Sequence, residues 1–429
     1  MPDKPLLSVE QALERLTADL KPVGAEAIPL VEALGRVLAE PVRASHPLPP
    51  FANSSMDGFA VRAADVQQAA SDQPVQLAVV GEAAAGAEAL PSVGPGQAAR
   101  ITTGAPIPPG ADAVVPVEAT DSPEPMAGQA LPKQIAVGRS VAAGDYIRPA
   151  GLDVQAGSVV LEHGRVLQPQ DIGLLAALGV DRPLVSRKVR VAVFSTGDEV
   201  VEVDKPLRPG KIRDSNGYML AALLQQAGAE PLRLGIAADT PQAVEDQLNR
   251  ASEARADLIL TSAGVSMGAH DFVRQVIEQH GRLDFWRVNI RPGKPLVYGG
   301  YRNIPFVGLP GNPVSAWVTF YLFVAPMLDA LRGAVSGGPL VVDAELVEPI
   351  ESDGRESYLR AHLWRVSDGY VARLTGSQDS GVLTSLVEAN ALLRLPAGTL
   401  GLKAGDKVET WLIAGAGHES RHSLRRPSA

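Results

Sequence analysis

The sequence contains no cysteine. That excludes disulfides, a thiolate metal site and a cysteine nucleophile, so any sulfur in its chemistry must arrive with a ligand. Its folded part has no Lys- or Arg-rich run, and the net charge is −9 with a pI near 5.4. Nucleic acid is therefore not an expected partner. The start, MPDKPLLSVEQ, has neither the charged opening nor the apolar stretch of a secretion signal. The most apolar segment, residues 316–328, is too short to span a bilayer and contains Pro326. A cytoplasmic protein with no membrane partner is expected. No period organises the 42 glycines and 35 prolines, which excludes collagen and points to many turns and β-rich modules.

What is present is core-forming. Hydrophobic residues make up 45% of 429 residues, too many for a disordered chain and too long for one core. Three or four domains are expected. Residues 8–20 predict a helix, with Ser8 and Gln11 as a capping box and Val9, Leu13, Leu16 and Leu20 on one face. A second short helix is expected over 30–38. Residues 51–142 read as short strands, among them 76–80, 98–102 and 113–117, separated by Gly and Pro, as in a small barrel or sandwich. A turn rhythm from 143 gives way to a helix over 168–178. This segment pairs naturally with the region before 51, which makes 51–142 an insertion.

Residues 187–332 alternate strand and helix, the pattern of a doubly wound, mostly parallel α/β sheet. In it, Ser215 is the expected cap of one helix and Pro241 opens another. The stretch DLILTSAGVSMGAHD, from Asp257 to Asp271, is a buried strand followed by small residues, an acid and a helix. Open α/β sheets build ligand crevices this way at the carboxyl ends of their strands. Backbone N–H groups and hydroxyls there suit an anion, and the carboxylate suits a divalent cation. Strands return over 339–415, with a hairpin around Asp368-Gly369. The polar, Arg/Ser-rich end is expected to be disordered.

Other loops carry matching chemistry. Asp57 precedes Gly58 in NSSMDGFA, which locally also reads as a hairpin turn. Thr102 and Thr103 stand before Gly104. STGDEV places Asp198 and Glu199 after the first strand of the α/β unit, and Asp239 follows the second, where it is also a candidate helix cap. RPGKP sets Arg291 and Lys294 on a rigid corner, a cation pair suited to an oxyanion. GLPGNPVSA brings Pro310, Gly311, Asn312 and Pro313 to a helix start, which favours anions.

The motifs NSSMDGFA, TGAPIPPGADAVV, GLDV, STGDE, GKIRDSN, SAGVSMGAHD, RPGKP and GLPGNPVSA occur in this order. Together they resemble the MoeA family of molybdopterin molybdenumtransferases, which includes the C-terminal domain of gephyrin. The resemblance covers residues 6–415. It implies an elongated homodimer with its active site between subunits. The family's substrates are molybdate and adenylated molybdopterin, with Mg²⁺ as cofactor and AMP as product. It implies Asp57, Thr103, Asp153, Glu199 and Asp271 as catalytic residues, and Glu199, Asp239 and Asp271 as metal ligands. Ser262, Gly264, Ser266, Arg291, Lys294, Pro310, Asn312, Pro313, Arg360 and Ser380 would bind substrate. Two departures stand out: Ala263-Gly264 where the family often has Gly-Gly, and Arg291 where it often has Lys. The expected architecture is multidomain α/β plus β. An N-terminal helix, 1–26, packs on the α/β domain, 187–332. Segments 27–50 and 143–186 form an elongated linker domain, 51–142 an inserted β-rich domain and 333–415 a C-terminal β barrel. A disordered tail, 416–429, completes the chain. Two rival activities fit the α/β unit: adenylyl transfer from ATP to molybdopterin, and cofactor binding by a scaffold without turnover. The molybdopterin adenylyltransferase is a further expected partner.

Overall fold

The computed structural model describes residues 6–122, 130–263, 272–335 and 337–413. The first helix, Val9–Thr17, starts as its local sequence dictates. Gln11 N–H donates to Ser8 Oγ (3.2 Å), and Ser8 N–H donates to Gln11 Oε1 (3.1 Å). Val9, Ala12 and Leu16 are buried in the core of the α/β unit, with Leu13 and Leu20 packed beside them. Burying the valine and leucine side chains contributes about 1.5–3 kcal/mol each.

The α/β unit is built on one six-stranded sheet. Its strands are β1 (Arg190–Thr196), β2 (Glu230–Ala237), β3 (Leu258–Ser262), β4 (Arg282–Arg287), β5 (Pro295–Tyr301) and β6 (Ile304–Leu309). The order across the sheet is β2-β1-β3-β6-β5-β4. β1 runs parallel to β2 and β3, and β3 runs parallel to β6. β5 is antiparallel to β6 and β4, so a hairpin edge completes a mostly parallel sheet. Alternation along β1 sends Val191 and Val193 to one core, and Ala192 and Phe194 to the other. Helix α1 (Ser215–Gln226) packs on the first face through Leu220, Leu223 and Leu224. Helices α2 (Pro241–Glu253) and α3 (Phe272–His280) pack on the second through Val244, Leu248, Val276 and Ile277. The sheet is thus covered on both faces. The carboxyl ends of its four parallel strands share one edge.

The long helix α4 runs from Pro313 to Arg332. Its middle, Phe320–Val324, is a π-helical turn. Pro326 has no N–H to give and its ring crowds the carbonyl four residues back, so a wider turn just before it relieves both problems. At 20 residues, with a mean hydropathy of 1.6 over its most apolar window, this helix is longer than the apolar segment read from sequence. By length it suffices to cross a bilayer, but 72% of its most apolar window is buried inside the protein, as in a core helix.

Residues 25–54 and 147–186 form a ladder of short antiparallel pairs. Ala25–Ala27 pairs with Leu184–Ser186, Val42–Arg43 with Val159–Leu161, and Asn53–Ser54 with Ile147–Arg148. A small core of Ile28, Leu38, Leu161, Leu175 and Val185 lies along it. The helix expected over 30–38 is instead a single 3₁₀ turn, Leu30–Glu32, ended by Gly35 in the left-handed region.

Between the halves of the ladder stands a five-stranded sheet ordered Ala113–Pro116, Gly58–Val61, Gln97–Ile101, Val75–Ala83, Gln134–Val137. Asp57-Gly58 is therefore no hairpin turn. Gly58 opens a central strand, opposite Ile101 on one side and Pro116 on the other. A Cβ there would lie 2.0 Å from the Val115 carbonyl oxygen, so only glycine fits. At the other end of the chain, Val341–Leu346, Glu356–Val366, Gly369–Leu374, Ala391–Leu395 and Lys407–Leu412 close into a five-stranded barrel. The barrel meets the α/β unit where Ile290–Arg291 pairs with Glu356 and Ser357.

Candidate active site

The strand ends of β1 and β2 place two acids side by side. Asp239 N–H donates to Asp198 Oδ1 (3.1 Å), and Asp198 N–H donates to Asp239 Oδ2 (3.3 Å). Each carboxylate therefore fastens the other's loop, and the backbone dipoles offset their mutual repulsion. Lys211 Nζ donates to the Asp198 carbonyl. Asp239 does not cap α2; Thr240 does, accepting from Ala243 N–H. Glu199 is exposed beside this clasp, and its backbone carbonyl accepts from Ile212 N–H.

The start of α1 is fixed by Asp214, not by the expected Ser215. The buried Asp214 carboxylate accepts from Gly217 N–H and Ser195 Oγ (both 2.8 Å) and faces Arg233 at 3.4 Å. Two residues on, Asn216 Nδ2 donates to Ser262 Oγ (2.6 Å) at the end of β3 and to the Gly311 carbonyl (2.7 Å) beyond β6. Ala263 follows with φ +72°, a left-handed conformation that favours glycine. Among the described residues, five buried side-chain polar atoms lack a partner: Asn53 Oδ1, Thr196 Oγ1, Asn216 Oδ1, Thr261 Oγ1 and His362 Nδ1. Three of them sit at this one edge, although each orphan costs about 1–3 kcal/mol. A polar edge kept at such a cost points to function.

The first turn of α4 meets the barrel. Asn312 Nδ2 donates to Ser380 Oγ (2.6 Å), and Val314 N–H donates to the Ser380 carbonyl (3.2 Å). Pro310 is buried beneath this corner, and Pro313 occupies the first helical position. The segment that leads into Ser380 is held by Arg360. The guanidinium, fully buried, donates to the carbonyls of Ser377, Gln378 and Asp379 and to Ser385 Oγ. Burial pushes the Arg360 pKa down to about 10, with Arg291 nearby adding to the fall and Asp379 opposing it. It remains a cation at neutral pH. Arg291 is half-buried, 3.7 Å from Asp353, and Lys294 is exposed on the same turn.

A second group forms elsewhere in the chain. Thr103 N–H donates to Asp57 Oδ1 (2.6 Å), beside the buried Asn53 and Ser54. Asp153 is exposed on the ladder, where its N–H donates to the Leu48 carbonyl (2.9 Å). Among the described residues, no hydrogen bond or ion pair joins this group to the strand-end edge. Gly264, Ser266 and Asp271 lie outside the described residues.

The donor set suits a hard cation only in part. Among the described residues, no group of three or more His, Asp or Glu side chains is arranged to hold a metal ion. Two acids at the strand ends, with one exposed glutamate beside them, match the ligation of Mg²⁺ by one or two carboxylates plus substrate phosphate.

Three family models match in sequence: the MoeA N-terminal region (domain I and II) over residues 7–179, a probable molybdopterin binding domain over 192–330, and the MoeA C-terminal region (domain IV) over 343–413. The chain is 40% identical over 390 residues to the molybdopterin molybdenumtransferase of a Nostoc species, covering 89% of this chain and 87% of that one. The chain belongs to the MoeA family. The Haemophilus influenzae molybdopterin molybdenumtransferase is 36% identical, covering 94% of this chain and 98% of its own. The crystal structure of the molybdopterin biosynthesis MoeA protein of Pyrococcus horikoshii superposes with a TM-score of 0.81 at 32% identity, covering 95% of this chain and all of that one. Within the MoeA framework, the clasped acids and Asn216 fall in the probable molybdopterin binding domain. Asp57, Thr103 and Asp153 fall in the N-terminal region, and Arg360 and Ser380 in the C-terminal one. Sequence reasoning passed over Asn216 and the Asp198–Asp239 clasp. The GKIRDSN motif carried the first, and the adjacency of β1 and β2 the second.

Proposed function

We propose that this chain is a molybdopterin molybdenumtransferase. It inserts molybdate into adenylated molybdopterin with release of AMP, in molybdenum cofactor synthesis. The observation that carries this reading is the polar strand-end edge of the α/β unit, with Asp198, Glu199, Asp239, Asn216, Ser262 and the start of α4 together, in a MoeA-family chain. Both reactants are anions. Arg291, Lys294 and the helix start attract them. Glu199 is the acid left over once Asp198 and Asp239 hold each other, which suits it to a cation or to the attacking oxygen atom. Asp57, Glu199, Asp239 and Asp271 would supply the hard oxygens for Mg²⁺, whose charge offsets the repulsion between the reactants. Absence of cysteine agrees with this chemistry, because the sulfur ligands of molybdenum belong to the pterin.

The Asp57–Thr103 pair reaches the chemistry most simply from a second subunit. A homodimer with the site between its subunits brings the N-terminal region of one chain to the α/β edge of the other. The test is AMP release from adenylated molybdopterin with molybdate and Mg²⁺. A chelator should abolish it, and Glu199→Gln should lower it about hundredfold with an unchanged melting temperature. Full turnover by Glu199→Gln would remove that residue from the mechanism. ATP consumption without molybdate would point to adenylyl transfer instead.

A further inference from the structure

The geometry points to Asn216 as a positioning residue for this reaction: it turns the Ser262 hydroxyl so that its proton is offered to the bound anion. The inference rests on the proposed function, in which Ser262 contacts the anionic substrate. Asn216 Nδ2 has two hydrogens, and both are committed, one to Ser262 Oγ (2.6 Å) and one to the Gly311 carbonyl (2.7 Å). A carbonyl only accepts, so the nitrogen of the amide and not its oxygen must face Gly311. That fixes the amide's orientation, and with it the role of Ser262. The serine oxygen receives a hydrogen from Asn216, so its own O–H is free to donate. Among the described residues it meets no acceptor.

Two further observations support the assignment. Asn216 is held on the first turn of α1 by Asp214, which is itself fastened to β1 through Ser195. The residue is buried, with 8% of its surface exposed, and its Oδ1 has no partner. Both N–H groups of this buried amide are thus committed to holding Ser262 and Gly311, and its oxygen is left unpaired. They join the last residue of β3 to Gly311, which lies between β6 and the start of α4.

The test is a double-mutant cycle on the full-length protein, using AMP as the probe and calorimetry as the readout. Ser262→Ala removes the donor and should weaken AMP binding about tenfold. Asn216→Ala lets the hydroxyl swing away and should weaken it by a similar factor. The double variant should be no weaker than either single one, because both remove the same contact. Melting temperatures are measured in parallel, since a general loosening would lower them without this non-additivity. Should the Asn216→Ala chain fail to fold, Asn216→Ser enters the same cycle with the same expectation. If Ser262→Ala weakens binding and the Asn216 variant does not, the positioning role is overturned and the site reading stands. If the two effects multiply to about hundredfold, Asn216 acts independently and the role is likewise overturned. If neither substitution changes AMP affinity, Ser262 does not contact the anion, and the site reading itself fails at that residue.

Discussion

Asp214 joins three elements through one carboxylate. It caps α1, accepts from Ser195 on β1 and faces Arg233 on β2. Its position leaves no space at Gly217, where a Cβ would stand 2.2 Å from Asp214 Oδ2. Gly217→Ala should therefore displace the cap and cost about 2 kcal/mol. The midpoint of urea unfolding measures this, and an unchanged midpoint would contradict it. The same residues show where sequence reading stops. Asp214 and Ser215 are both good capping residues, and nothing local chooses between them. The choice is made by Ser195, nineteen positions away in sequence. At Ser8 and Gln11 both partners of the cap lie three residues apart, so the cap was legible. Asp239 likewise read as a candidate cap on local grounds alone. Only the pairing of β1 with β2 reveals Asp198 as its partner.

Helix boundaries respond to charge as well as to packing. The helix Pro169–Ala177 is held at its start by Asp171, which accepts from Gln168 N–H and forms a two-pronged ion pair with Arg165. Burial alone would raise the Asp171 pKa; the Arg165 hydrogen bonds and the Gln168 N–H outweigh it, so the carboxyl titrates below its usual range. A lowered folded-state value stabilises the fold above the ordinary aspartate range, and that stability is lost as pH falls through the folded value. Asp171→Asn should thus cost about 1–2 kcal/mol at neutral pH, with Arg165 partly exposed. The gap to the natural chain should close as pH drops below about 4. Unfolding curves across that range check it; a gap constant with pH would deny the charge its role. This helix was readable because its pattern closes at Gly179, which takes the left-handed conformation. The strand Gly58–Val61 was not, because Asp-Gly is a turn signal until Ile101 and Pro116 close on both sides. The barrel hairpin at residues 366–369 was readable, since its turn chemistry and alternation agree.

For the whole molecule, the proposed homodimer makes a distinctive prediction. Asp57→Asn and Glu199→Gln should each lose about hundredfold in activity alone. If the site joins the N-terminal region of one subunit to the α/β edge of the other, mixing and refolding the two should restore activity. Half the dimers would be mixed, and each would hold one intact site, giving about a quarter of normal turnover. No recovery would place both residues in a site within one chain. The alternation of strand and helix, and the small-residue loops after strands, made the α/β unit and its edge legible. Whether the two residue groups meet was not, because that depends on surfaces and not on local pattern.

The ladder has a consequence for synthesis. Ala25–Ala27 must wait for Leu184–Ser186 before it has a neighbour, and Val9, Ala12 and Leu16 must wait for the helix that ends at Arg332. On the ribosome the earliest-made segments are therefore among the last to settle. The sheet between residues 58 and 137 is complete in itself and can form while they remain unpartnered. A nascent chain halted near residue 180 should resist protease across that sheet and be cut readily before residue 50.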